Sequence, residues 1–152
     1  MAGVKIATVF DSISKLSVNG VSIKDVDQIP EEVLSRHCPV MFPDPSSPVS
    51  NVRVEPQSFG AGTAGKNNVL YTLNYVYIHA PVGSDRYITK NVSAMVAKFA
   101  LVMNALIAND SVTGAVDIEP KLAGEFGVVE DAVGNKFWGF MLAIDVIEFY
   151  EV

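Results

Sequence analysis

The chain is poor in the groups from which most enzyme and metal sites are built. One of its 152 residues is a cysteine, Cys38, and two are histidines, His37 and His79. A single cysteine excludes an intramolecular disulfide. One thiol and two imidazoles fall short of the four ligands a structural zinc site uses. Charge is scarce as well: charged residues make up 18% of the chain, below the usual ~25%. There is no basic run, and phosphate-binding surfaces are built from clustered lysine and arginine. Tight nucleic-acid binding is therefore not expected. No apolar run approaches the ~18 residues of a membrane span. The longest, Phe137 to Ile144, is broken by Gly139 and stopped by Asp145. The opening MAGVKIATVF carries Lys5 among its apolar positions and does not read as a signal peptide. Folding in a reducing cytoplasm is the expectation. No internal repeat, low-complexity stretch or domain linker stands out.

What is present is apolar residue content, at 49%. The length suits one domain, residues 1–152. High apolar content with little charge suggests a surface partly covered by other protein, including copies of this chain. The net charge is −6, and its distribution is uneven. Residues 1–110 are neutral, whereas residues 111–152 hold eight acidic side chains against Lys121 and Lys136. Two readings of this acidic third stand side by side: a solvated sheet face that aids solubility, and a functional acidic surface.

Hydrophobic spacing gives the elements. Ile6, Val9, Phe10, Ile13 and Leu16 form a helical stripe, predicting a helix over 3–17. Val21 to Ile29 reads as a strand with a loose end, closed by Pro30. Residues 39–48 hold four prolines and exclude a helix. Val40-Met41-Phe42 suits an edge strand, where proline is tolerated, and Asn51 to Glu55 suits another. After the loop 58–68 comes VLYTLNYVYIHA (69–80), apolar on both faces and so predicted to be a central strand. A second helix is expected from Tyr87 to Ala108, capped by Asp85, with Val92, Met95, Val96, Phe99, Met103 and Leu106 as its buried stripe. Beyond it lie further strands, with a hairpin turn at Val133-Gly134-Asn135 joining FGVVED to KFWGFMLAIDVIEFYEV. The order predicts an α+β domain: a mostly antiparallel sheet flanked by two main helices.

The chemical motifs do not hold up in context. Gly60-Ala61-Gly62-Thr63-Ala64-Gly65-Lys66-Asn67 satisfies GxGxxG and GxxxxGK. Both motifs work because glycines let backbone N–H groups approach phosphate ahead of a helix N-terminus. Here Asn67 replaces the magnesium-binding Ser or Thr, and a strand follows. Neighbours on an extended segment point apart, so His37 is a poor base for Cys38, which suits a small buried hydrophobe. Asp25/Asp27, Glu31/Glu32 and Glu130/Asp131 show no convergence toward a metal or an acid–base pair and read as solvated turns. No catalytic residue, metal site or cofactor is expected.

Three phrases matter together: VSIKDVDQIP…CPVMFPDP, SFGAGTAG…LYTLNYVYIHAPVGSDR and NDSVTGAVDIEPKLAGEFGVVEDAVGNKFWGFMLAIDVIEF. Their layout, over nearly the whole chain, resembles the small neck proteins of long-tailed, non-contractile bacteriophages, of the lambda-type tail-terminator kind. The resemblance implies an α+β fold and a virion location, with assembly in the host cytoplasm. It implies a six-fold homo-oligomeric ring at the head-proximal end of the tail. That ring ends tail-tube polymerisation, contacts the tube protein and the head connector, and lets DNA pass without binding it specifically. A head–tail joining or tail-completion role elsewhere in the neck is the alternative. Outside phages, the alternatives are a small-ligand-binding domain and an adaptor. Within a ring, Asp117, Glu119, Glu125, Glu130 and Asp131 are the candidates for facing the channel; Glu148 and Glu151 fit an outer edge. The candidate interface loops are the proline-rich arm, with Pro39, Phe42, Pro43 and Pro45, and the glycine loop, with Phe59, Gly60, Gly62, Gly65 and Lys66.

Overall fold

A computed structural model describes residues 5–56, 66–83, 88–109 and 116–151. Two strands form its spine. β4 (Lys66–Pro81) and β7 (Lys136–Glu151) pair antiparallel along their full length, from Lys66 opposite Glu151 to Pro81 opposite Phe137. The apolar character of both faces of β4 is what makes this central placement favourable. Shorter strands complete the sheet on each side. β2 (Val40–Pro43) and β3 (Val49–Pro56) pair with successive stretches of β4. β5 (Val116–Leu122) and β6 (Gly127–Glu130) do the same along β7. β1 (Ser22–Ile23) adds to β2 as the one parallel pair among the described strands. The molecule is α+β, as the sequence predicts, with a mostly antiparallel sheet.

Alternation sorts the side chains. Tyr71, Leu73, Tyr75 and Tyr77 of β4 share one face with Phe140, Leu142, Ile144 and Val146 of β7, and all are buried. α1 (Ile6–Ser14) lays Val9, Phe10 and Ile13 on this face, with Phe10 and Tyr75 ring centroids 5.9 Å apart. α2 (Ile88–Ala108) adds Met95, Val102 and Leu106. Its Phe99 stands edge-on to Phe126 and Phe140, with centroids at 5.4 and 5.3 Å. The opposite face is covered over half its length only. There Val76, Ile78, Phe42 and Phe137 pack under the segment 29–38, which contributes Val33. Among the described residues, nothing covers the other half.

Several expectations need correction. The first helix is shorter than predicted, ending at Ser14. Asp85, the expected cap of the second, lies outside the described residues. The run 21–29 does not continue as a strand after Ile23. Asp25 instead caps a 3-10 turn, Val26–Gln28, accepting the Val26 N–H at 2.6 Å while the Gln28 side chain accepts the Asp25 N–H at 3.1 Å. Short polar side chains compete with the ladder in this way. β2 is no edge strand: it lies between β1 and β4, and all four of its residues are buried. On α2, Val96 is 45% exposed and Val102 is buried in its place. The inward face centres on Met95, Phe99, Val102 and Leu106, which leaves Val96 on the flank.

Candidate functional site

The open half of the sheet carries the polar groups that the core does not use. Across it run Ser50 and Arg53 of β3, Thr72 and Asn74 of β4, Asp145 of β7, and Asp117, Glu119 and Lys121 of β5. The register explains the grouping. Glu119 stands opposite Asp145, which stands opposite Thr72, so the three share one face. They border a shallow hollow of about 520 Å³. Asp145 organises its floor, accepting from Thr72 Oγ1 at 2.7 Å and from Lys121 Nζ at 2.9 Å. Burial pushes the Asp145 pKa up, but the hydrogen bonds from Lys121 and Thr72 outweigh it and hold the carboxyl below its ordinary range. Lys121 is raised in turn by its hydrogen bond to Asp145 and by that charge. Arg53 pairs with Glu55 at 3.0 Å across the solvent edge, and Asn74 holds Ser47 O and Ser50 Oγ. β3 bulges beside them, where Asn51 takes a left-handed φ of 56° that asparagine tolerates.

Asp117 and Glu119 therefore project into solvent from one face. Glu125, between β5 and β6, and Glu130, at the end of β6, are exposed elsewhere on the molecule. Asp131 is not a channel residue. It is 6% exposed and spends both oxygens inside the protein. Oδ1 accepts the N–H groups of Asn135 and Val133 at 2.9 and 3.2 Å; Oδ2 accepts Asn135 Nδ2 and the Val33 N–H, both at 3.0 Å. It closes the hairpin turn, with Gly134 at φ 90°, and ties that turn to the segment 29–38. Glu148 is likewise no outer-edge residue. It is 1% exposed on the helix-covered face, accepting from Tyr71 Oη and from the Lys5 N–H at 2.8 Å. The sequence signal was its parity: Ile144, Val146 and Glu148 point the same way.

Of the proline-rich arm, Phe42 and Pro43 are buried strand residues and Pro39 is half-buried, so none of the three forms an exposed loop. Pro45 is exposed, in a turn where Asp44 accepts from the Ser46 N–H and hydroxyl at 3.0 and 2.8 Å. That turn lies beside Glu130 and Ala132 of the hairpin. Phe59, Gly60, Gly62 and Gly65 lie outside the described residues. Lys66 already belongs to β4, so a strand directly follows the glycine run.

The remaining reactive groups are occupied in the fold. Burial pushes the Cys38 thiol up, away from the thiolate a nucleophile needs. Its Sγ lies 3.8 Å from Leu34 O, and the His37 ring faces the Leu34 N–H instead of the thiol. His79 shares a 2.9 Å hydrogen bond with Tyr77 Oη. Burial, then Lys98, lowers the His79 pKa, leaving the ring neutral at pH 7. Among the described residues, no group of three or more His, Cys, Asp or Glu side chains is placed to hold a metal ion. Among the described residues, the open face thus carries four carboxylates (Glu55, Asp117, Glu119, Asp145) against two cations (Arg53, Lys121). Such a surface disfavours phosphate. No protein-family model matches the chain, and no curated protein matches it.

Proposed function

We propose that this chain is a structural virion protein of the tail-terminator kind. It forms a six-fold ring on the head-proximal end of a non-contractile phage tail. The ring stops tube growth, meets the head connector and passes DNA through its centre. The observation that carries the reading is the two-sided sheet. One face is packed under α1 and α2, while half of the other, among the described residues, is uncovered and net acidic around Asp117, Glu119 and Asp145. A ring subunit whose open face borders a DNA passage needs a surface that repels phosphate, and an excess of carboxylates among the described residues of this face supports that. The layout of sequence phrases supports the same reading.

The test is reconstitution. The purified chain is added to polymerising tail-tube protein of the phage that encodes it, and the products are imaged by negative stain. Tubes of limited length carrying one added ring at one end are expected. Tubes that grow unchecked, with no density added at either end, contradict the proposal.

A further inference from the structure

Over residues 91–108, α2 presents solvent with a face that carries no charge. Ser93, Val96, Ala100, Leu101, Asn104 and Ile107 are all exposed on it, with Val96, Leu101 and Ile107 at 45%, 40% and 60%. The one charged residue of 91–108, Lys98, turns to the flank and donates to Asn19 O at 3.0 Å. A helix that is apolar on both faces is normally covered on both, and contiguous apolar surface of this kind marks an interaction site. A second uncovered feature lies at the far edge of the same sheet. Among the described strands β3 is bonded to β4 alone, and its Val52 and Val54 are 57% and 63% exposed. A covering helix is one of the devices that protect such an edge, beside the charges and bulge that β3 already carries in Arg53, Glu55 and its irregularity between Ser50 and Arg53.

We infer that α2 of one copy covers the β3 edge of the next, and that this contact builds the ring. The inference deepens the tail-terminator reading and rests on it for the ring. The occupant is a second copy because one chain carries both halves of the contact. α2 sits over β5 and β7, whereas β3 lies beyond β4 on the other side. Two different patches at opposite edges define a head-to-tail contact, which gives a ring where its rotation closes and a filament where it does not; the ring comes from the tail-terminator reading. The lengths agree. Residues 93–108 of a helix span about 22 Å at 1.5 Å per residue. The eight residues of β3 span about 23 Å at 3.3 Å per residue. Valine side chains meet valine, leucine and isoleucine, and the two polar groups on the helix face, Ser93 and Asn104, can each serve outward backbone groups of the edge strand. Lipid is a poor occupant: the net charge of −6 repels anionic bilayers, and residues 91–108 offer no arginine, tryptophan or tyrosine anchor.

Two measurements on the full chain test this. In the first, Ala100→Glu is compared with wild type by sedimentation and native mass spectrometry across a concentration series. Its circular dichroism should be unchanged, because the site is exposed. The concentration needed for ring formation should rise roughly ten-fold or more, since a carboxylate must be desolvated at the contact. In the second, a Cys38→Ser background carries Val54→Cys on one chain and Ala100→Cys on another, and the mixture is mildly oxidised. A Val54→Cys to Ala100→Cys cross-link is expected. Rings unaffected by Ala100→Glu overturn the interface and leave the ring reading standing. Ala100→Cys chains cross-linking only to each other replace it with a helix-to-helix dimer, and overturn it. Wild-type chain that binds anionic vesicles and loses this with Ala100→Glu overturns it in favour of a membrane. Wild-type chain monomeric at every concentration, and absent from tube ends, overturns both readings.

Discussion

Asp131 accepts a hydrogen bond from the Val33 N–H at 3.0 Å, joining two segments 98 residues apart. That contact fastens the β6–β7 hairpin to the strap that covers half the sheet. Asp131→Ala removes the acceptor for Val33, Val133 and Asn135 together. It should cost about 3 kcal/mol of unfolding free energy, read from urea denaturation. A loss under 1 kcal/mol would show that the strap holds without it.

The same carboxyl gives a pH signature. Burial pushes the Asp131 pKa up, but the N–H groups of Val33 and Asn135, the Asn135 amide and the Val133 N–H outweigh it, so the folded value lies below 3.8. Asp145 is lowered as well. A folded pKa below the unfolded one stabilises fully above the unfolded value of about 3.9, and the stabilisation disappears as pH falls through the folded value. Stability should therefore be flat from pH 7 to about 5 with respect to these groups and fall below about 4. In Asp131→Asn the acid-side fall should be shallower; an identical slope would contradict the assignment.

Gly139 sits where the β4–β7 register shifts between Ile78 and Ala80. A Cβ there would lie 2.0 Å from Tyr77 O and 2.7 Å from Val129 Cγ2. The first neighbour is backbone of the central strand and cannot turn aside. Gly139→Ala should cost about 3 kcal/mol or more. A thermal melt within a few degrees of wild type would show that β4 moves freely at this point.

Much of this was legible beforehand, and the reason differs by element. β4 was readable because β-branched and aromatic residues fill both of its faces, which only a central strand accommodates. The β6–β7 hairpin announced itself through Val133-Gly134-Asn135. The strap 29–38 was not readable, because beyond the packing of Ile29, Val33 and Cys38 it is tied down by one buried carboxylate, and a sequence shows Asp131 as one more acidic turn residue. Glu148 misled for the same reason. Its charge suggests solvent, whereas Tyr71 and the Lys5 N–H make burial tolerable. The grouping of Asp117, Glu119 and Asp145 with Lys121 and Thr72 depends on strand register, which the sequence does not state. The expected set of five channel carboxylates therefore divides: Asp117 and Glu119 on the open sheet face, Glu125 and Glu130 elsewhere, Asp131 inside.

Charge reversal at the first two isolates their role. Asp117→Lys and Glu119→Lys combined should leave the fold intact, since both side chains are exposed and neither closes the Asp145 network. If they border the DNA passage, virions carrying the pair should eject DNA more slowly or retain part of it, with the defect easing at high salt. Normal ejection at every salt concentration would assign these residues to solubility alone.

Cryo-electron microscopy of the phage neck tests the central claim most directly. The account predicts one ring of six copies of this chain between the last tube ring and the head connector, with Asp117 and Glu119 turned toward the lumen. A map that places the chain along the tube, elsewhere in the virion, or nowhere in the particle would contradict it.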